Sequence, residues 1–233
     1  MDLDRIRTNL DDVRRRVAQA AAGAGRPADD VRLVCVTKKS PPEWIRTLAA
    51  CGARDLGENY PQELWAKVEG LSELQTIVHW HLIGHLQTNK VKKTLPLVTM
   101  FHSVDSLKLL RALNEAAAGM ATPPQVCLQV NTSDEPAKHG WTSEQILHDA
   151  ESIAANRAIP IVGLMTMAAY GTSAETARGS FVLLRETRDR LLRTTGLPLQ
   201  HLSMGMSNDF EAAIEEGSTM VRVGSALFDG VVP

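Results

Sequence analysis

The feature that most constrains this chain is a rhythm. Short runs of β-branched and apolar residues are each followed by a helix-patterned segment, about eight times between residues 31 and 223. Val31–Thr37 (VRLVCVT), Arg54–Gly57, Ile77–Ile83, Val98–Val104, Gln125–Val130, Pro160–Met165, Leu199–Ser203 and Met220–Val223 read as strands. The intervening helices are expected over Pro41–Cys51, Tyr60–Glu69, Gln87–Lys93, from Asp105 or Ser106 to about Ala118, Ser143–Ala155, Ser173–Thr194 and Asp209–Glu216. Ser40, followed by prolines, is expected to cap the first of these, and Thr142 or Ser143 another. A further helix, residues 3–22, precedes the first strand. Strands buried on both faces and separated by helices predict a parallel α/β sheet. Eight such units in 233 residues predict a single domain, 1–233, closed into a (β/α)8 TIM-type barrel with an extra N-terminal helix. A doubly wound open sheet is the alternative that the same alternation allows.

Composition narrows the partners. A net charge of -2 gives no field for nucleic acid or a membrane surface, so an anionic ligand needs a local site. No apolar run approaches the roughly 18 residues of a membrane span. Met1–Arg16 alternates Asp and Arg without the apolar core of a secretory leader. Cys35, Cys51 and Cys127 are odd in number and form no C-x-x-C pair, which fits reduced thiols in a cytoplasmic protein. Cys35 and Cys127 lie in apolar runs and are expected to be buried and inert.

In a barrel, chemistry collects on the loops after the strands, and a phosphate often sits on the last two of them. Those loops read Ser203-Met204-Gly205-Met206-Ser207-Asn208-Asp209 and Arg222-Val223-Gly224-Ser225. Glycine lets backbone approach an anion closely, and serine hydroxyls with N–H groups at a helix start donate to phosphate oxygens. Ordinary turn chemistry is the alternative for either loop alone. Lys38 and Lys39 end the first strand. A lysine amine in a shielded site becomes nucleophilic toward an aldehyde, whereas a solvated pair does nothing of the kind. His79, His81 and His85 invite a metal-hydrolase reading. No carboxylate set accompanies them, Asp229 stands alone beyond the last strand, and no metal is expected. The Lys90–Lys93 run and Glu215–Glu216 are expected on solvated helix surface.

Four segments carry a family resemblance: V-C-V-T-K-K-S-P-P around Lys38, L-G-E-N-Y at 56–60, W-H-L-I-G-H-L-Q-T-N-K at 80–90 and the long block from Leu202 to Phe228. In these the chain resembles the pyridoxal phosphate homeostasis family (the YggS/PROSC proteins), itself similar to the N-terminal barrel of alanine racemase. The resemblance implies a pyridoxal 5'-phosphate (PLP) protein of vitamin B6 homeostasis that stores or supplies the cofactor and is not an enzyme with established turnover. It implies PLP as the ligand, apo PLP-enzymes as possible recipients, no metal and a monomer. Lys38 matches the Schiff-base lysine, and Lys39 falls at a variable position. Ser207, Gly224 and Ser225 match the phosphate contacts, with Ser203 a further candidate. Arg222 matches the arginine facing the pyridine nitrogen, Asn59 lines the mouth, and Met165 and Met167 fall near the ring. Asn131 and Lys138 lie in the loop after the fifth strand. His85 departs from the family's common proline, which puts the shape of that loop in doubt.

Arg222 carries a chemical consequence. A guanidinium keeps its protons and leaves the ring nitrogen unprotonated, a poor electron sink. The competing activity is weak amino-acid racemisation, which needs an acid/base group on each face of the cofactor. Lys38 could serve one face. The chain runs only about ten residues past its last strand, so no second domain is expected to bring the other. Neither Tyr60 nor Tyr170 is placed by sequence to do so.

Overall fold

The structure, a computed structural model, describes residues 3–133, 135, 139–169 and 174–231. In chain order the elements are α1 (Leu3–Gly23), β1 (Arg32–Val36), α2 (Pro42–Ala50), β2 (Asp55–Glu58), α3 (Pro61–Gly70), β3 (His79–Leu82), α4 (Val91–Thr94), β4 (Met100–Val104) and α5 (Leu107–Ala117). There follow β5 (Gln125–Gln129), α6 (Ser143–His148), α7 (Ala150–Ala154), β6 (Ile161–Met165), α8 (Ala174–Thr195), β7 (His201–Ser203), α9 (Phe210–Glu215) and β8 (Met220–Val223). Each strand pairs in parallel with the next, and β1 also pairs with β8 in the register Val34↔Arg222, closing an eight-stranded barrel. The open-sheet alternative is thereby excluded.

The main core lies between the barrel and its helices. α1 shows how: Ile6, Leu10, Val13 and Val17, spaced three and four apart, are buried along one stripe of the helix. A second, small cluster of Met100, Cys127, Met165 and Met220 from β4, β5, β6 and β8 lies apart from it. Cys35 and Cys127 are buried, and burial pushes both thiols up to about 12, so both stay protonated. No helix among the described residues is long and apolar enough to cross a membrane.

Tertiary contacts override the local pattern in several places. Ser40 does not cap α2: its N–H closes a turn onto the Thr37 carbonyl at 2.9 Å, and Pro41 holds the cap position without a side-chain bond. The helix expected over Ser143–Ala155 breaks at Asp149, whose carboxylate accepts the Trp141 indole N–H at 2.9 Å. Its start is as read: Thr142 and Gln145 form a reciprocal capping box. Residues 87–93 split into a 3-10 turn, Thr88–Lys90, and α4. The expected start of α8 at Ser173 lies outside the described residues. Glu215 and Glu216 are not simply solvated. They bind Arg178, and Glu216 also binds Arg185 at 2.7 Å, tying α9 to α8.

Candidate functional site

β1 delivers its end to the barrel mouth. Thr37 still bonds β2 through its N–H to Gly57 O (2.9 Å), and the chain then turns through Lys38 and Lys39, both exposed. Lys39 takes φ 60°, a left-handed conformation rare outside glycine. The turn is gripped from below. Thr37 Oγ1 donates to Glu58 Oε1 (2.5 Å), and Lys67 Nζ from α3 donates to the same oxygen and to the Thr37 carbonyl, each at 2.7 Å. Glu58 is fully buried, and burial raises its carboxyl pKa despite the ammonium beside it. Its Oε2 has no hydrogen-bond partner among the described residues. Neither Glu58 nor Lys67 is singled out by the sequence reading, because nothing local links an α3 lysine to a strand-end turn.

The neighbouring strand brings the serine–glycine loops against this turn. Gly205 has φ +94°, and a Cβ there would meet Ala213 Cβ at 2.7 Å and Phe210 Cα at 2.9 Å, so only glycine fits the bend after β7. The bend carries Ser207 to the end of β8, where its Oγ accepts N–H bonds from Gly224 and Ala226, both at 3.3 Å. A Cβ on Gly224 would lie 3.2 Å from Val36 Cβ. That close approach seats the Gly224–Ser225 backbone beside the residue that precedes Thr37 and Lys38. Hydroxyls and backbone N–H groups thus converge at the start of the 3-10 turn Ser225–Leu227, an arrangement suited to anion oxygens. Ser207, Asn208, Ser225 and Ala226 also line an open hollow of about 760 Å³ bordered by Arg5 and Arg16 of α1.

Arg222 lies beneath. Its guanidinium is buried, and desolvation lowers its pKa to about 10, so it remains a cation at neutral pH. Two of its five N–H donors are committed, to Ser203 Oγ at 2.6 Å and to the Thr166 carbonyl at 2.9 Å. No carboxylate lies within ion-pair distance of it among the described residues.

Ser203 does not join the anion-facing loop. It is fully buried, and its hydroxyl sits between Arg222 and His102 Nδ1 (2.7 Å). Met165 is fully buried in the methionine–cysteine cluster, with the partly buried Met167 packed against it. Asn59 stands at the mouth after β2, where a Cβ on Gly84 would come within 2.1 Å of its carbonyl oxygen, so this contact requires glycine at 84.

The three histidines of the metal reading are not brought together as a ligand set. His79 and His81 both face Asp55, at 3.4 and 3.0 Å. His85 instead binds Asp105 at 2.7 Å and stacks on His139 with ring centroids 4.8 Å apart. The strand-three loop is therefore built around the His85 imidazole. The Asn131 carboxamide organises its own loop, bonding Glu135 and Ser133. Lys138 and Tyr170 lie outside the described residues, and Tyr60 is exposed.

Fold and site together define an alanine racemase-type barrel: the family model "Alanine racemase, N-terminal domain" matches residues 1–231. The chain is 40% identical over 219 residues to the pyridoxal phosphate homeostasis protein of Aquifex aeolicus, covering 94% of this chain and 95% of that one. It is 40% identical over 223 residues to the protein of the same name from Pseudomonas aeruginosa, covering 96% and 94%. This chain belongs to the pyridoxal phosphate homeostasis family. Among solved structures it is similar to PipY of Synechococcus elongatus PCC7942 with PLP bound: TM-score 0.81, 34% identity, 91% of this chain and 99% of that one.

Proposed function

We propose that this protein holds PLP at the barrel mouth, linked to Lys38 as a Schiff base, and stores or supplies the cofactor without turning over a substrate of its own. The observation that carries the reading is a juxtaposition. An exposed amine on a braced turn, a glycine-tight cradle of N–H and hydroxyl donors, and a buried guanidinium occupy three adjoining positions around β1, β7 and β8. The residues fit the group. When bound, the cofactor supplies an aldehyde carbon, a phosphate and a pyridine ring nitrogen. The hydroxyls of Ser207 and Ser225 would hold the phosphate, together with the N–H groups of Gly224 and Ala226, which would pass to it from Ser207 Oγ, and Lys38 Nζ would meet the aldehyde. Arg222 would offer an N–H to the ring nitrogen while keeping its own charge, which weakens the ring as an electron sink and favours holding over carbanion chemistry. Glu58 and Lys67 keep the Lys38 turn in place. The exposure of Lys38 leaves the link open to exchange with another amine, the step that handing PLP to an apo-enzyme requires.

The test mixes the PLP-loaded protein with an apo PLP-enzyme and follows the recovery of that enzyme's activity, against an equal amount of free PLP. Faster or more scavenger-resistant recovery from the loaded protein is expected. Recovery no faster than from free PLP removes the supply role and leaves storage alone, and sustained isomerisation of an amino acid by the purified protein would contradict the non-enzymatic reading.

A further inference from the structure

A hydrogen-bonded chain runs through the barrel interior to Arg222. Arg222 donates to Ser203 Oγ (2.6 Å), Ser203 Oγ bonds His102 Nδ1 (2.7 Å), His102 Nε2 bonds His81 Nδ1 (2.8 Å), and His81 Nε2 bonds Asp55 Oδ1 (3.0 Å). β4 and β7 are not neighbours in the barrel, so the His102–Ser203 bond crosses the lumen. Ser203, His81 and His102 are all essentially sealed from solvent. We propose that Asp55, His81 and His102 are positioning residues: with Ser203 they form a one-way relay of hydrogen bonds that holds Arg222 as an oriented cation beneath the cofactor ring. The clause about the ring rests on the PLP reading; the relay itself does not.

The direction follows from donor and acceptor inventory. Burial alone would raise the Asp55 carboxyl, but the His81 bond and the nearby Arg32 and His79 outweigh it, so Asp55 is held below the ordinary range and only accepts. His81 Nε2 must then carry a hydrogen. Burial lowers the pKa of His81 and lowers that of His102 well below the ordinary histidine value, so both rings are neutral. His81 Nδ1 is therefore a lone pair and accepts from His102 Nε2–H. His102 Nδ1 in turn accepts the Ser203 hydroxyl proton, and the Ser203 oxygen accepts from Arg222. In the opposite direction a lone pair would face the Asp55 carboxylate, or a second proton would sit on a buried imidazole.

The neighbours on every side respect this assignment. Arg32 of β1 lies 3.9 Å from Asp55, and His79 of β3 lies 3.4 Å from it. His201 of β7 is turned to Thr219 Oγ1 at 3.3 Å, Asp209 attracts Arg222 from the mouth, and Cys127 of β5 is a neutral thiol. Met100, Met165 and Met220 are the apolar surroundings.

The relay solves a specific problem. A buried cation needs a compensating negative charge. A carboxylate placed beside Arg222 would also lie near the ring nitrogen and favour its protonation. Asp209 attracts Arg222 directly from the mouth, while Asp55 adds a negative charge that reaches Arg222 only through the relay, where each polarised bond strengthens the next.

Two measurements test this. In the cofactor-free protein, nitrogen NMR should find His81 and His102 both in the neutral Nε2–H form, without titration between about pH 5.5 and 8.5. An Nδ1–H tautomer or a titrating ring at either position would overturn the relay. In the PLP-loaded protein, Asp55→Asn should lower the pH midpoint of the visible Schiff-base band. The shift should be about half a unit, the scale of one charge felt through a barrel interior; the protonated linkage is positive and loses a distant negative charge. Asp55→Glu should restore the midpoint. An unchanged midpoint in folded Asp55→Asn would overturn the coupling. If borohydride traps no PLP on wild-type Lys38, the PLP reading fails instead, and the NMR result alone decides the relay.

Discussion

The place of Lys38 at the mouth was legible because it ends an apolar run, and the barrel rule puts such ends there; its bond to the cofactor is a proposal. What braces the lysine was not legible. Glu58 lies in a strand and Lys67 on a helix, and only the fold brings them onto the Thr37 carbonyl and hydroxyl. Lys67→Met should leave the buried Glu58 carboxylate uncompensated and cost about 3 kcal/mol in urea unfolding, the usual scale for a broken buried pair. Adding Glu58→Gln should recover more than half of that loss; a double variant as unstable as the single would contradict the pairing. Lys39, at φ 60°, sits where a β-branched side chain strains the backbone. Lys39→Val should lower stability by about 1 kcal/mol even though the side chain is exposed, a loss that thermal unfolding would register. The place of Ser203 was not legible: a hydroxyl in a serine-rich loop reads as a phosphate donor until its neighbours across the lumen, Arg222 and His102, are known.

At the scale of elements, the strands were found to within one or two residues, whereas the helix from 143 onward was read as continuous because its apolar period does not falter. The interruption falls at Asp149, whose carboxylate holds the Trp141 indole. Asp149→Ala should leave that indole N–H unsatisfied and cost about 2 kcal/mol, measured by urea unfolding, with Asp149→Asn milder. Nothing local marks Gly163 of β6 as obligatory. A Cβ there would lie 2.1 Å from the His201 carbonyl of β7, so the two strands meet only through glycine.

For the whole molecule, barrel closure was legible from the count of strand–helix units in this length. The polar lumen was not, because a strand buried on both faces does not announce which side faces in. That lumen sets the response to acid. Burial depresses the pKa of His81 and His102 in the folded state. Their contribution is therefore fully present above the unfolded histidine value and is lost as pH falls from about 6.5 toward the folded values, by up to roughly 1.4 kcal/mol per pH unit for each ring. Glu58 and Asp209, raised by burial, act in the opposite sense: their contribution is present at acid pH and lost as pH rises through their folded values. The imidazole contribution is therefore read by difference: between pH 7.5, 6 and 5 the wild type should lose more stability in urea unfolding than His102→Gln does, since both keep the opposing carboxyls; equal losses would contradict a neutral buried imidazole at 102.

The most direct measurement is chemical. The protein is incubated with PLP, reduced with borohydride, digested and mapped by mass spectrometry, beside Lys38→Ala and Lys39→Ala. The pyridoxyl group should sit on Lys38 in the wild type and in Lys39→Ala, and should vanish with Lys38→Ala. A label on Lys39, or one that persists without Lys38, would contradict the assignment of the cofactor to the tip of the first strand.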